Sequence, residues 1–98
     1  MIDQQTIEIL GVPYRLKHVD TISREELRIG EIDFLRQEIL LLNGLEKEIE
    51  RVTLWHEVIH GIFSQLGFED EAVNEHLIQS LANALYQVLE ENPFLQSA

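Results

Sequence analysis

The chain has 98 residues, 45% hydrophobic and 26% charged, the profile of one ordinary globular domain with a small core. It has no cysteine, which excludes disulfides, iron–sulfur clusters, cysteine-held zinc and a cysteine nucleophile. Eighteen acidic against seven basic residues leave a formal charge of -11, and that field repels phosphate backbones and anionic lipid, so neither nucleic acid nor membrane is expected as a partner. The longest unbroken apolar run, residues 39–42, is far short of a membrane span. Residues 1–5 lack the basic start and apolar stretch of a secretory signal, so a cytoplasmic location is expected.

The first half of the chain reads as strands and turns. Residues 6–10 and 13–19 alternate about Gly11-Val12-Pro13, which predicts a hairpin with a turn longer than the tight two-residue types. Ser23-Arg24-Glu25-Glu26 has the spacing of a capping box and predicts one or two helical turns before Gly30. Residues 31–34 and 37–42 flank Leu35-Arg36 as a second hairpin. The period of Ile39-Leu40-Leu41-Leu42 suits a buried helix equally well, but its length and the following Asn43-Gly44 favour a strand.

Two helices are expected next. Asn43 as cap with Glu46 three residues on predicts the start of the first, and Glu46, Glu48 and Glu50 suit the positive end of its dipole. Val52, Trp55, Ile59, Ile62, Phe63 and Leu66 recur at helical spacing, and Gly67 stops the run. Trp55 is expected to pack under the sheet. The second helix opens at Asp70, whose side chain can cap it, and carries Val73, Leu77, Leu81, Leu85 and Val88 on one stripe. Asn92-Pro93 ends it, leaving the last five residues frayed.

Inside the first helix lies His56-Glu57-Val58-Ile59-His60, an H-E-x-x-H sequence. Four residues are ~400° of helical rotation, so both imidazoles leave one face about a turn apart and can grip one metal ion. With Val52 at zero on the helical wheel, the apolar residues span about 240° to 20°, and His56 and His60 follow at about 40° and 80°. Both histidines therefore border the core stripe, in a place suited to a metal site with an apolar shell. The bland alternative is two satisfied histidines at a core margin.

A third ligand should come from nearby. His60 lies six residues before Leu66, about 9 Å along the helix, so a chain turning back through Gly67-Phe68-Glu69 comes level with it four to six residues into the next helix. Glu75 sits there, at the border of its own apolar stripe. Glu71 comes a turn too early, and His76 points ~100° away from Glu75. Two imidazoles and a carboxylate with a fourth position open to water form the ligand set of a catalytic zinc. Zinc would lower the pKa of its water toward ~7, and Glu57 would take the proton and deliver it to a leaving amine. The implied reaction is amide hydrolysis.

Residues 30–93 resemble the small gluzincin-type metallopeptidases of phages and prophages related to the ImmA/IrrE family. The residues that carry the resemblance are Gly30-Glu31-Ile32-Asp33, Gln37-Glu38-Ile39, Thr53-Leu54-Trp55 with the H-E-x-x-H itself, then Glu75, Ile78, Leu81 and Ala82, and Leu85-Tyr86-Gln87-Val88-Leu89. The resemblance implies an α+β fold over the whole chain as a single minimal zincin-like domain. In it a small, twisted, mostly antiparallel sheet packs on two long antiparallel helices. It also implies Zn2+ on His56, His60 and Glu75, Glu57 as base, a peptide or protein substrate, and a bacterial or phage-infected cell. Zincin substrates lie along an edge strand above the metal helix. Residues 37–42 are the candidate by that resemblance, with the backbone at Gln37, Ile39 and Leu41 available to an extended peptide. Gly61 departs from the alanine common in the family, Ile78-Gln79 departs from its Ala-Asn pair, and the extra subdomain of large gluzincins is missing.

Some residues keep two readings. Tyr86 is either a donor to an oxyanion or ligand, or a half-buried aromatic with a wet tip. Asp33 either accepts a ring N–H from a ligating histidine or caps a turn. His18 and His76 are surface residues, either of which could serve as oxyanion donor. A zinc-stabilised interaction module with little or no catalysis is the alternative function, motivated by the few residues left to build a substrate cleft.

Overall fold

The computed structural model describes residues 5–97, so of the N-terminal residues read for a signal only Gln5 falls among them, and Ala98 also lies outside. The elements in order are β1 (Thr6–Ile9), β2 (Val12–Val19), β3 (Gly30–Asp33), β4 (Glu38–Leu42), α1 (Lys47–Leu66), α2 (Glu69–Ala72) and α3 (Glu75–Glu91), closed by a 3-10 turn at Pro93–Gln96 where fraying is expected. This is an α+β domain. No helix among the described residues is long and apolar enough to cross a membrane.

The sheet has the order β1-β2-β4-β3 and is mixed. Its outer pairs are antiparallel, but β2 and β4 at its centre run parallel, Leu16 opposite Ile39 and Val19 opposite Leu42. This corrects the mostly antiparallel expectation. It also removes residues 37–42 as the substrate strand, because Ile39 and Leu41 are buried in the middle of the sheet between β2 and β3, and the Gln37 carbonyl accepts Arg15 N–H. A strand paired on both sides has no free backbone groups for a peptide. Among the described residues, the unpaired sheet edge next to α1 belongs to β3.

The turns differ from their sequence signals for local reasons. The β1–β2 turn is a tight two-residue type after all: Ile9 pairs with Val12, and Leu10 (φ 51°) and Gly11 (φ 85°) are both left-handed. Leucine is uncommon in that conformation, so the usual Asn-Gly or Asp-Gly cue is missing. Ser23 does accept the N–H groups of Glu25 and Glu26, at 3.2 and 3.4 Å, yet no helix follows there.

α1 is the middle layer. Leu54, Val58 and Ile62 pack on the sheet core of Ile9, Tyr14 and Ile39, whereas Val52, Trp55 and Phe63 join a second core in which Ile59 meets Ile78 and Ala82 of α3. Trp55 thus packs toward α3, not under the sheet. Gly61 lets the helix backbone touch the strands, since a Cβ there would lie 2.8 Å from Ile9 Cδ1 and 3.0 Å from Ile32 Cδ1. The α1 N-cap is Glu46, not Asn43, whose side chain instead donates to Asp20 at 2.8 Å.

Three helices stand where two long antiparallel ones are expected. A helix does begin near Asp70, but α2 ends after four residues and α3 restarts at Glu75 with Asn74 as its cap, the Asn74 side chain accepting Leu77 N–H at 3.0 Å. The restart turns α3 so that Ile78 and Ala82 are buried, leaving Val73 76% and Val88 46% exposed. The buried line thus centres on Ile78 and Ala82, with Leu77 and Leu81 of the expected stripe half-buried at its border.

Candidate metal centre

His56 and His60, one turn apart on α1, have ring centroids 5.0 Å apart. Glu75, the first residue of α3, faces them: its Oε1 lies 2.9 Å from His56 Nε2 and its Oε2 lies 3.0 Å from His60 Nε2. The second ring nitrogens are also engaged. His60 Nδ1–H donates to the Ala72 carbonyl at 2.8 Å, and His56 Nδ1–H donates to Gln79 Oε1 at 2.7 Å.

These outer hydrogen bonds set the chemistry of the centre. A neutral imidazole that donates through Nδ1 presents a lone pair at Nε2. With both rings neutral, two such lone pairs and a carboxylate converge on one point, an arrangement that a cation satisfies. One ligand atom from each residue lies within 4.8 Å of the other two, so a centre exists within about 2.8 Å of all three, near the ~2.0–2.2 Å bonds of zinc to nitrogen and oxygen. His56, His60 and Glu75 can therefore hold a metal ion. The histidine side chains are 16% and 18% exposed and that of Glu75 66%, so the imidazoles are fixed by packing and the carboxylate borders open space.

Two of the supports carry weak sequence signals. Gln79 is one turn beyond Glu75 on the same face of α3 (four residues), a spacing legible once Glu75 is assigned. The Ala72 carbonyl is available because the chain breaks at Val73 and Asn74; in a continuous helix it would accept the N–H of His76. The helix break that sequence reading missed is what turns this carbonyl toward His60.

Glu57 lies beside the centre, 7% exposed. Its pKa is pushed up to about 7, chiefly by burial, with the Glu75 and Glu31 charges adding to the rise and His56 and Arg28 opposing it. The close approach of β3 forms its roof: a Cβ at Gly30 would stand 3.1 Å from Glu57 Oε2 and 2.5 Å from Thr53 Cγ2. Only glycine fits there without displacement.

A cleft of about 630 Å³ opens over these groups, lined by Glu57, His56, His60 and Glu75, by Gly30, Glu31 and Ile32 of β3, and by Arg28, Phe34 and Val73. A larger groove of about 910 Å³ runs between α1 and the later part of α3. It holds Tyr86 and none of His56, His60 and Glu75, and its charges are those of Lys47, Glu48, Arg51, Glu90 and Glu91, so size does not locate the chemistry here. Tyr86 consequently does not reach the centre. Asp33 takes its turn-capping role, accepting Arg36 N–H at 3.0 Å. His18 pairs with Glu50 at 3.0 Å, and the exposed His76 does not line the cleft.

Comparison of the chain with protein-family models, with curated proteins and with solved structures finds no match.

Proposed function

We propose that the protein is a cytoplasmic zinc-dependent peptidase with His56, His60 and Glu75 as metal ligands and Glu57 as general base. The observation that carries this reading is the convergence of both Nε2 lone pairs on the Glu75 carboxylate beside a buried glutamate, in a cleft bordered by a free strand edge. The resemblance of residues 30–93 to small phage-type gluzincins supports the same choice of ligands and base. Zinc bound there would act as a Lewis acid and lower the pKa of a coordinated water toward ~7. The chain's own residues do the rest. The edge of β3 receives an extended peptide as an added strand. Glu57 accepts the proton of the attacking water and gives it to the leaving amine, while Gln79 and the Ala72 carbonyl hold the two rings in orientation.

A zinc-stabilised interaction module is the second reading. It is favoured by the position of Glu75 at the first residue of α3, because an ion held there would tie α3 to α1. Metal analysis of the wild type and of Glu75→Ala, with peptide hydrolysis by the wild type and Glu57→Gln, separates the readings. The peptidase predicts about one zinc per wild-type chain and little in Glu75→Ala, with Glu57→Gln retaining zinc and losing turnover. Hydrolysis unchanged in Glu57→Gln refutes the assigned base. Zinc without any hydrolysis, with a partner lost on chelation, favours the module.

A further inference from the structure

Hydrolysis of an amide places negative charge on the carbonyl oxygen as water adds to the carbon, and a donor facing that oxygen lowers the barrier further. The candidates singled out in the sequence are all elsewhere: Tyr86 in the larger groove, His18 on Glu50, and His76 outside the cleft. Tyr14, the other tyrosine, is buried and donates its hydroxyl to Gln65 at 2.7 Å. The chain has only seven lysines and arginines. Of these, Arg28 alone lines the cleft that contains Glu57 and the three ligands.

Arg28 precedes the free edge of β3 by two residues and is held from two sides. Its Nε contacts Glu26 Oε2 at 3.2 Å and its Nη1 contacts Glu31 Oε1 at 3.5 Å. Nη2 is left unengaged among the described residues. Two carboxylates, one on each side, thus orient a half-exposed guanidinium whose Nη2 is free among the described residues, in an otherwise acidic cleft. A planar fork anchored along one side is pre-organised to donate from the other.

We propose that Arg28 is the donor that faces the substrate's carbonyl oxygen and stabilises its charge in the transition state. The inference rests on the peptidase reading. The step balances within that reaction. The water oxygen forms a bond to the carbonyl carbon, the carbonyl π pair moves to its oxygen opposite Arg28, and the water proton goes to Glu57. The pair then returns, the C–N bond breaks, and the amine leaves with the proton from Glu57.

The test compares wild type, Arg28→Gln and Arg28→Lys on a randomised, end-blocked, internally quenched peptide mixture and on individual peptides chosen from it. Binding of a phosphinic peptide, whose anionic tetrahedral oxygen mimics the charged carbonyl oxygen, is measured alongside, with zinc content and Tm. Arg28→Gln should lower kcat about 100-fold, the cost of one oxyanion donor, with KM within about threefold. It should weaken phosphinic-peptide binding comparably and leave zinc and Tm at wild-type values. Arg28→Lys should recover part of kcat, because it keeps the charge and loses the fork. Unchanged kcat, a rise in KM alone, or loss of zinc or Tm in step with activity overturns the role of Arg28 and leaves the peptidase reading intact. A wild type that neither cleaves the peptides nor binds the phosphinic peptide overturns the peptidase reading, and the role of Arg28 with it.

Discussion

Gly30→Ala tests how the site is built, because one added methyl probes the contact between β3 and α1. The new Cβ would meet Thr53 Cγ2 at 2.5 Å and Glu57 at 3.1 Å (Oε2) and 3.4 Å (Cγ), whereas carbon atoms settle at about 3.5–4.0 Å. Roughly 1 Å of movement is needed at Thr53. It cannot come cheaply: Thr53 is β-branched, buried and mid-helix, and its hydroxyl donates to the Ile49 carbonyl at 2.7 Å. Overpacking of this kind costs about 1–3 kcal/mol, offset by about 0.5–1 kcal/mol for replacing a strand glycine with alanine. The expected net loss is about 1 kcal/mol, a fall in Tm of about 4–8 °C for a domain of this size. Thr53→Ser removes the clashing methyl and keeps the hydroxyl, so the double variant should recover about 1 kcal/mol relative to the sum of the single changes. Urea and thermal unfolding of all four proteins in chelator give the cycle without contribution from metal. A Gly30→Ala protein as stable as wild type, or a cycle with no coupling, would show that β3 does not press on α1 as described.

Two further outcomes follow from the same geometry. Gln79→Ala frees the His56 ring from its Nδ1 acceptor and should weaken zinc binding about 10- to 100-fold, read by competition with a chromophoric chelator; wild-type affinity would mean that Gln79 does not orient the ligand. Glu38 is buried on the open face of the sheet between Lys17 at 2.7 Å and Arg15 at 3.0 Å, and the Lys17 contact holds its carboxyl below the ordinary glutamate value of 4.5. A depressed pKa means that the ionised form stabilises the fold, fully above the ordinary value and less as pH falls through the folded one. Glu38→Gln should therefore cost about 1 kcal/mol or less at pH 7, since Arg15 and Lys17 are partly exposed, and the gap from wild type should narrow only below about pH 4.5, measured by urea unfolding at a series of pH values. A gap that stays constant down to pH 3 removes the charge pairing as its cause.

The convergence of His56, His60 and Glu75 was legible because it depends on local periodicity. The spacing of His56 and His60 places them on one helical face wherever the helix packs, and Glu75 follows from the length of chain that returns past Leu66. The mixed sheet, the helix break and the supports were less legible. Nothing within residues 37–42 says whether they lie at the centre or the edge of a sheet, since a buried apolar strand reads the same when either neighbour is parallel or antiparallel. Val73-Asn74 carries no proline or glycine, so the continuous stripe suggested one helix, and the Asn74 cap went unread beside the equally plausible Asp70.

Side-chain identity and spacing along one helix thus sufficed for which atoms could bind a metal, because a helix converts sequence separation into direction with a fixed angle per residue. What shares a cleft with those atoms came from the packing of distant segments. Arg28 arrives through the strand that happens to end the sheet and Gln79 through the rotation of α3 after its restart, whereas Tyr86, on the same helix as Glu75, is out of reach because it lies ~16 Å further along the axis. Strand order and helix rotation are settled by the burial of the whole apolar set at once, a condition on the entire chain that no local window contains.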